Sequence, residues 1–249
     1  MNPYVAEFIG TMLLILFGNG VVANVLLTRT KGHDAGWIVI SAGWGVAVYV
    51  GAFCSYEYSG AQLNPAVTVA LMLQDLETLS TGAGYILAQF AGAMVGATLV
   101  YLFYREHFHV TSDADAKLAC FATAPNIRKS GQAFFCEMVG TFALILPIFL
   151  IAAPELVHGT EPAASDPTLG LGSLGLLPVG LLVFGIGMSL GGTTGYAINP
   201  ARDLGPRIIH ALLKIPGKRD SDWSYAWVPV AGPLAGAILA ALVFELISI

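Results

Sequence analysis

Six times along the chain, apolar residues run on for about twenty positions, the length that crosses the hydrocarbon core of a bilayer as a helix. The first run is "MNPYVAEFIGTMLLILFGNGVVANVLL", and the others fall at about 37–56, 81–103, 131–153, 174–192 and 223–247. Polar or Pro/Gly-rich connections separate them. The opening run has no basic leader and is too long for a secretory signal, so it reads as the first span. Two connections, 104–129 and 153–170, are long enough to be surface loops, and neither is of low complexity.

Two further apolar stretches are too short to cross. "SGAQLNPAVTVALML" and "TGYAINPARDLGPRIIHALL" carry only about ten to fourteen apolar positions each, which suits re-entrant half-helices. Asn is a strong N-cap and Pro is favoured in the first turn, so Asn64-Pro65-Ala66 and Asn199-Pro200-Ala201 both read as helix starts within the membrane. Backbone that enters a bilayer without spanning it is tolerated only where protein or a water-filled cavity satisfies its polar groups. A cavity is therefore expected.

The halves repeat. "AEFIGTMLLIL" (6–16) recurs as "CEMVGTFALIL" (136–146), the Asn-Pro-Ala boxes recur in order, and "FAGAMVGA" (90–97) matches "VAGPLAGA" (230–237). Each half holds three spans, an odd number, so the second must be inserted upside down relative to the first. The expectation is an all-α membrane protein with six transmembrane helices, two half-helices and an inverted internal repeat. It forms one domain over 1–249, with repeat one at about 1–110 and repeat two at about 130–249.

Composition agrees with this reading: 11% of residues are charged and 56% are hydrophobic, against about a quarter charged in soluble domains. Mean hydropathy is +0.73. The net charge of −5 is spread over many loops and gives no case for nucleic acid. Cys54, Cys120 and Cys136 have no paired spacing, so neither a disulfide framework nor a metal knuckle is suggested.

Two Asn-Pro-Ala boxes on inverted three-span repeats resemble the aquaporin family, and "NPARD" resembles its glycerol-facilitator branch. The resemblance covers essentially the whole chain. It implies that the two half-helices meet tip to tip at mid-membrane, with Asn64 and Asn199 donating amide hydrogen bonds to permeating molecules and the positive helix ends repelling cations. It further implies a selectivity filter of Trp44, Gly187, Tyr196 and Arg202, with Glu7, Glu137 and Asp203 as structural support, and Arg207 also matches the glycerol branch. Trp44 with Gly187 follows the wider, glycerol-passing pattern. Two aromatics opposite an arginine suit glycerol, whose CH face can lie on the rings while its hydroxyls address Arg202.

The implied function is a passive channel for glycerol and small neutral solutes, with water as a secondary permeant and with protons and ions excluded. No cofactor and no metal are implied. A homotetramer in the lipid of the plasma membrane is. Tyr196 stands where glycerol facilitators usually have Phe, and two readings of it stay open: an extra hydroxyl in the filter, which would admit neutral hydroxy acids such as lactic acid, or a hydroxyl turned away to a backbone partner.

Other readings compete residue by residue. A lone arginine such as Arg202 can be a snorkelling charge, but its place three residues into a buried half-helix argues for the filter. Glu7 and Glu137 could form a proton relay, though bonding the re-entrant backbone is the simpler role. Gly92, Gly96, Gly232 and Gly236 form two GxxxG pairs that read as close helix contacts. "GMSLG" (187–191) matches a serine-nucleophile pattern around Ser189, but His33, His107, His109 and His158 lie in loops and His210 in the second half-helix, so a hydrolase lacks its base. "HFH" lacks a third metal ligand. A secondary transporter also uses inverted repeats and broken helices, and saturable, coupled uptake would distinguish it.

Orientation sets two rules against each other. All eleven Lys and Arg fall on the first, third and fifth connections, including the segment leading to the sixth span, which the positive-inside rule would place in the cytoplasm. The family resemblance implies the opposite, with both termini cytoplasmic.

Overall fold

In a computed structural model of the chain, residues 1–151 and 171–248 are described. Ten α-helices lie among them: α1 (Pro3–Leu26), α2 (Trp37–Ser59), α3 (Pro65–Leu73), α4 (Leu79–Phe103), α5 (Arg105–Val110), α6 (Ala114–Ala119), α7 (Ser130–Leu150), α8 (Leu177–Ser189), α9 (Pro200–Leu212) and α10 (Val228–Ile247). A 3-10 turn, Gly172–Leu176, leads into α8 and completes a span from Gly172 to Ser189. With α1, α2, α4, α7 and α10 this makes six segments long and apolar enough to cross a membrane. The expected spans and half-helices are all present. The 153–170 connection and His158 lie outside the described residues.

Local chemistry sets the helix ends. Asn2 caps α1 through its side chain ahead of Pro3, and Thr78 caps α4 by accepting from the N–H of Thr81 (3.2 Å). Gly60 ends α2 in the left-handed conformation (φ 76°), returning its N–H to the carbonyl of Tyr56. The chain there must reverse to start the first half-helix, α3.

Packing follows the repeat. α1 lies against α4 and α7 against α10, while the two half-helices cross over: α3 packs on α10 and α9 on α4. Each repeat therefore holds the half-helix of the other. The glycine pairs make the close contacts expected of them. A Cβ on Gly96 would sit 2.6 Å from the carbonyl oxygen of Met12 in α1, and one on Gly232 would sit 2.7 Å from Cβ of Glu137 in α7.

The 104–129 connection departs from the expectation of a surface loop. It folds into α5 and α6, and it sends Phe108, Cys120 and Phe121 fully into the core that the spans share. The physical reason is geometric. The short helix α9 leaves room beside it that apolar side chains of the connection fill: the Phe121 ring lies 5.3 Å from that of His210 in α9.

Candidate functional site

The two half-helices meet by their N-termini. Asn64 caps α3 by accepting from the N–H of Ala66 (2.9 Å), and Asn199 caps α9 by accepting from Ala201 (3.0 Å) and Arg202 (3.1 Å). Each side-chain amide then reaches across the junction: Asn64 Nδ2 donates to the carbonyl of Ile198 (2.8 Å) and Asn199 Nδ2 to the carbonyl of Leu63 (2.9 Å). An Asn amide has two N–H groups, so this fixes the side chain and leaves one donor on each for the lumen. Pro65 and Pro200 open the helices and, with Ala66 and Ala201, are buried at the junction.

The segments entering the junction are strained in register. Ala61 and Leu63 have φ of 54° and 52°, and Tyr196 and Ile198 have φ of 37° and 43°, all in the left-handed region that residues with a Cβ rarely adopt. Such conformations persist only where the surroundings over-determine them. Buried carboxylates do so here. Glu7 accepts from the N–H groups of Gln62 (2.8 Å) and Leu63 (2.7 Å), and Glu137 accepts from those of Ala197 (3.0 Å) and Ile198 (2.8 Å). With the N–H groups drawn outward to the acids, these segments line a cavity of about 240 Å³ that also carries Asn64, Asn199 and Arg202. Most of its remaining lining is apolar, with Leu14, Val48, Val67, Leu144 and Val183 among its residues.

A second cavity, about 210 Å³, lies beyond it between Trp37, Thr123, Asn126 and the 191–195 turn. The two cavities share three lining residues, Trp44, Tyr196 and Arg202. The boundary between them is thus built from three of the four residues singled out by sequence. The Arg202 guanidinium carbon lies 4.1 Å from the Trp44 ring centroid, and its Nη1 is buried without a hydrogen-bond partner.

Gly187 lines neither cavity and stands behind Tyr196. A Cβ there would come within 2.9 Å of Tyr196 Cζ and Oη and 3.0 Å of Ser41 Cβ. The absent side chain is the space the tyrosine ring fills. The Tyr196 hydroxyl is consequently turned out of the lumen into a buried position beside Ser41, with no backbone partner. Trp37 closes the same corner: it donates to the carbonyl of Gly187 (2.8 Å) and packs edge-on to Tyr196 at 5.8 Å.

Asp203 and Arg207 form a buried knot under this boundary. Asp203 accepts from both N–H and Oγ1 of Thr123 (2.7 Å each) and from Arg207 Nε (2.8 Å). Arg207 also donates to the carbonyls of Thr123 (2.8 Å), Ser221 (2.8 Å) and Asp222 (3.1 Å). The knot ties α9 to the connections before α7 and α10. A further pair, Arg128 with Asp222 (2.5 and 2.6 Å), sits outside it, and this hydrogen-bonded guanidinium holds the Asp222 carboxyl below its ordinary range. Lys117 is nearly buried and donates to the carbonyl of Pro216, and burial lowers its ammonium from its ordinary range.

Sequence reasoning missed several participants. Gln89 is fully buried in α4 and donates to Glu7 (2.8 Å) and Thr68 (3.0 Å). Ser59 also donates to Glu7 (2.6 Å). A Gln in the middle of an apolar span was the one visible signal for Gln89; Thr123, Ser41 and Trp37 offered none. Ser189 is exposed at the end of α8, and among the described residues no histidine bonds to it. His210 is committed to Ser221 through Nδ1 (2.8 Å).

Two cavities that share Trp44, Tyr196 and Arg202, with two short helices meeting by their N-termini beside them, are the features against which known proteins can be compared. A profile of the family described as Major intrinsic protein matches residues 1–244. The chain is 52% identical over 245 residues to the "Probable glycerol uptake facilitator protein" of Thermotoga maritima, covering 98% of this chain and 99% of that one. It is 50% identical over 246 residues to the "Glycerol uptake facilitator protein" of Streptococcus pneumoniae, covering 99% of each. The structure resembles the X-ray structure of the aquaglyceroporin from Plasmodium falciparum, with a TM-score of 0.79 at 31% identity over 97% of this chain and 94% of the other. Sequence, fold and junction agree, and the chain belongs to the major intrinsic protein family.

Proposed function

We propose that the chain is a passive membrane channel whose main solute is glycerol. The observation that carries this is the mixed lining of the first cavity: Asn64, Asn199, Arg202 and the re-entrant backbone supply polar groups among mostly apolar side chains. Glycerol has the matching shape, hydroxyls along one edge and CH groups along the other. Its hydroxyls hydrogen-bond those polar groups while its carbons lie on Trp44, Val48 and Val183. The names of the relatives support the same solute. Membership of a channel family removes the hydrolase reading of Ser189 and favours passive flux over coupled transport.

In this reading Trp44, Tyr196 and Arg202 form the selectivity filter, with Gly187 making room for the Tyr196 ring. Asn64 and Asn199 present amides at the centre, and Glu7, Glu137 and Asp203 hold the frame. Water follows as a secondary permeant. Protons and cations are excluded because they would lose hydration while meeting the guanidinium of Arg202 and the positive ends of α3 and α9. Neutral lactic acid passes on the same terms as any small polyol, since the Tyr196 hydroxyl is not presented to it. The protein forms a homotetramer in the plasma membrane with both termini in the cytoplasm. This orientation puts the Lys/Arg-rich connections outside, against the charge rule, and a reporter fused to each terminus tests it.

Reconstitution into liposomes decides the function. Vesicles carrying the protein should admit glycerol well above protein-free vesicles in osmotic light-scattering, without proton leak under an imposed pH gradient. Glycerol flux equal to that of empty vesicles, with fast water flux, would defeat the proposal.

A further inference from the structure

We infer that an anionic phospholipid headgroup is held on the face to which the Lys and Arg of this chain are confined, where α1, α4 and α9 end side by side. The site is independent of which solute the protein passes. The three helices finish together for topological reasons. α1 crosses, α2 returns, and α3 runs from the junction back to the face where α4 begins, so α4 is parallel to α1. α9 meets α3 N-terminus to N-terminus and therefore runs the same way as α4. The three are also packed: Gly92 of α4 closes on the Phe8 carbonyl of α1, and Gly205 of α9 on Cβ of Ala93 in α4. At the ends, His107 meets the carbonyl of Thr28 (3.0 Å), which brings the residues after α1 against α5.

Each of these ends is followed by a cation that the protein itself does not use. Arg29 follows α1, Arg105 opens α5 directly after α4, and Lys214 follows α9. All three are exposed, and among the described residues their side chains make no ion pair or hydrogen bond. The exposed acids of this face have partners of their own: Asp34 with His33, Glu106 with His109, and Asp115 and Asp220 with Arg219, while Asp113 caps α6. Lys214 is not needed to cap α9 either, because Lys218 already donates to the carbonyls of Ala211 (3.0 Å) and Leu213 (2.7 Å).

Helix-end electrostatics do not account for these cations. A helix C-terminus favours positive side chains, and that preference acts alike on both faces. Yet the helices that end on the opposite face carry acids there, Glu57 in α2, Asp75 and Glu77 after α3, and Glu245 in α10, with no Lys or Arg. The asymmetry belongs to the face, and what it selects is negative charge outside the protein. Apolar neighbours fix the height of that charge. Phe103, the last residue of α4, is 79% exposed and Leu212, the last of α9, is 71% exposed. Exposed apolar side chains directly beneath exposed cations place the cations at the level of a headgroup phosphate, with acyl chains against Phe103 and Leu212. Arg105 offers a planar fork to two phosphate oxygens, flanked by the charges of Arg29 and Lys214. A soluble anion would gain nothing from the apolar floor.

The test measures the unfolding midpoint of the full chain in neutral detergent micelles against added phosphatidylglycerol or phosphatidylcholine of identical acyl chains. In wild type, which needs no variant to fold, phosphatidylglycerol should stabilise at lower concentration than phosphatidylcholine, and the difference should shrink as salt rises. Arg29→Gln, Arg105→Gln and Lys214→Gln should each weaken the phosphatidylglycerol effect about fivefold, the factor for one basic residue at an anionic surface, and leave phosphatidylcholine unchanged. The triple variant should respond to both lipids alike, whereas Arg105→Lys should keep most of the preference. Equal stabilisation of wild type by the two lipids, or by inorganic phosphate as well as by phosphatidylglycerol, would overturn the site. So would a loss of the same size in Lys129→Gln, a cation of the same face at the start of α7, because the attraction would then be diffuse.

Discussion

Glu7→Gln is the sharpest probe of how the reversed segments are held. The Glu7 carboxylate accepts four hydrogen bonds, from Ser59 Oγ and Gln62 N–H on one oxygen and from Leu63 N–H and Gln89 Nε2 on the other. An amide at this position must turn its NH2 toward one of the two oxygen sites. Ser59 can rotate to accept and Gln89 can flip its amide, but a backbone N–H cannot reverse, so Gln62 or Leu63 is left as a buried orphan. That costs about 1–3 kcal/mol, and the surviving bonds lose the strength that a charged acceptor gave them, for a total of roughly 3–5 kcal/mol.

Glu137 supplies the internal control. Its carboxylate accepts from the backbone N–H groups of Ala197 and Ile198, with the Thr194 side chain alongside, so Glu137→Gln creates the same single orphan with fewer weakened neighbours, about 2–4 kcal/mol. Both variants should unfold at a lower fraction of denaturing detergent in mixed micelles, with Glu7→Gln the more sensitive. Both should lose glycerol flux, because a relaxed Leu63 or Ile198 moves the carbonyl that orients the opposite asparagine. A Glu7→Gln protein that unfolds with wild type and keeps its flux would refute the argument that this carboxylate holds the strained backbone.

Three further outcomes are expected. Gly187→Ala should drive the Tyr196 ring into the lumen, since a Cβ there stands 2.9 Å from its Cζ, and glycerol flux should fall much more than water flux; equal loss of both would remove Gly187 from the filter. Tyr196→Phe should leave the ratio of neutral lactic acid to glycerol flux unchanged, because the hydroxyl it deletes is buried; a clear drop in acid flux would show that the hydroxyl reaches the lumen. The Asp222 carboxyl is held below its ordinary value of 3.8 by Arg128, so the stability it lends is complete above that pH and is lost as pH falls through the depressed value. Hydrogen exchange of the 213–222 segment should therefore quicken only in strongly acidic buffer, and Arg128→Met should move the onset upward; an onset unaffected by Arg128→Met would exclude the pair as its cause.

What the sequence made legible was whatever is written locally. A span announces itself by twenty apolar residues, and a helix start by Asn-Pro, so the six spans and both half-helices are legible in the sequence itself. Glu7 and Glu137 stood out because an acid inside a span demands a partner. What stayed hidden depended on contacts across long stretches of chain. Thr123 meets Asp203 from 80 residues away, and nothing about a threonine in a loop signals that. Phe108 and Phe121 looked like loop residues because their burial exists only once the spans have packed into the shared core. The direction of the Tyr196 hydroxyl was undecidable for a similar reason, being set by the side chain that Gly187 lacks and by Ser41 on another helix.

In the proposed channel, the duplication also accounts for a symmetric frame with one filter. Asn64 and Asn199 are equivalent, as are Leu63 with Ile198 and Glu7 with Glu137, and their bonds mirror each other across the junction. Symmetry breaks at the next two residues: Val67-Thr68 in α3 stands where α9 has Arg202-Asp203. Val67 adds to the apolar lining of the first cavity, and Thr68 spends its hydroxyl on Asn64 and Gln89 within its own repeat. Arg202 places a guanidinium on the lumen, and Asp203 must then bind outward, to Thr123 and Arg207, recruiting the connections that close over the second cavity. A single charge at one end suffices, because each half-helix already turns its positive end toward the centre, and a second arginine at the position of Val67 would replace apolar wall that the carbon face of a polyol needs. On this proposal the pore is symmetric where it must turn backbone toward solute, and asymmetric where it must choose among solutes.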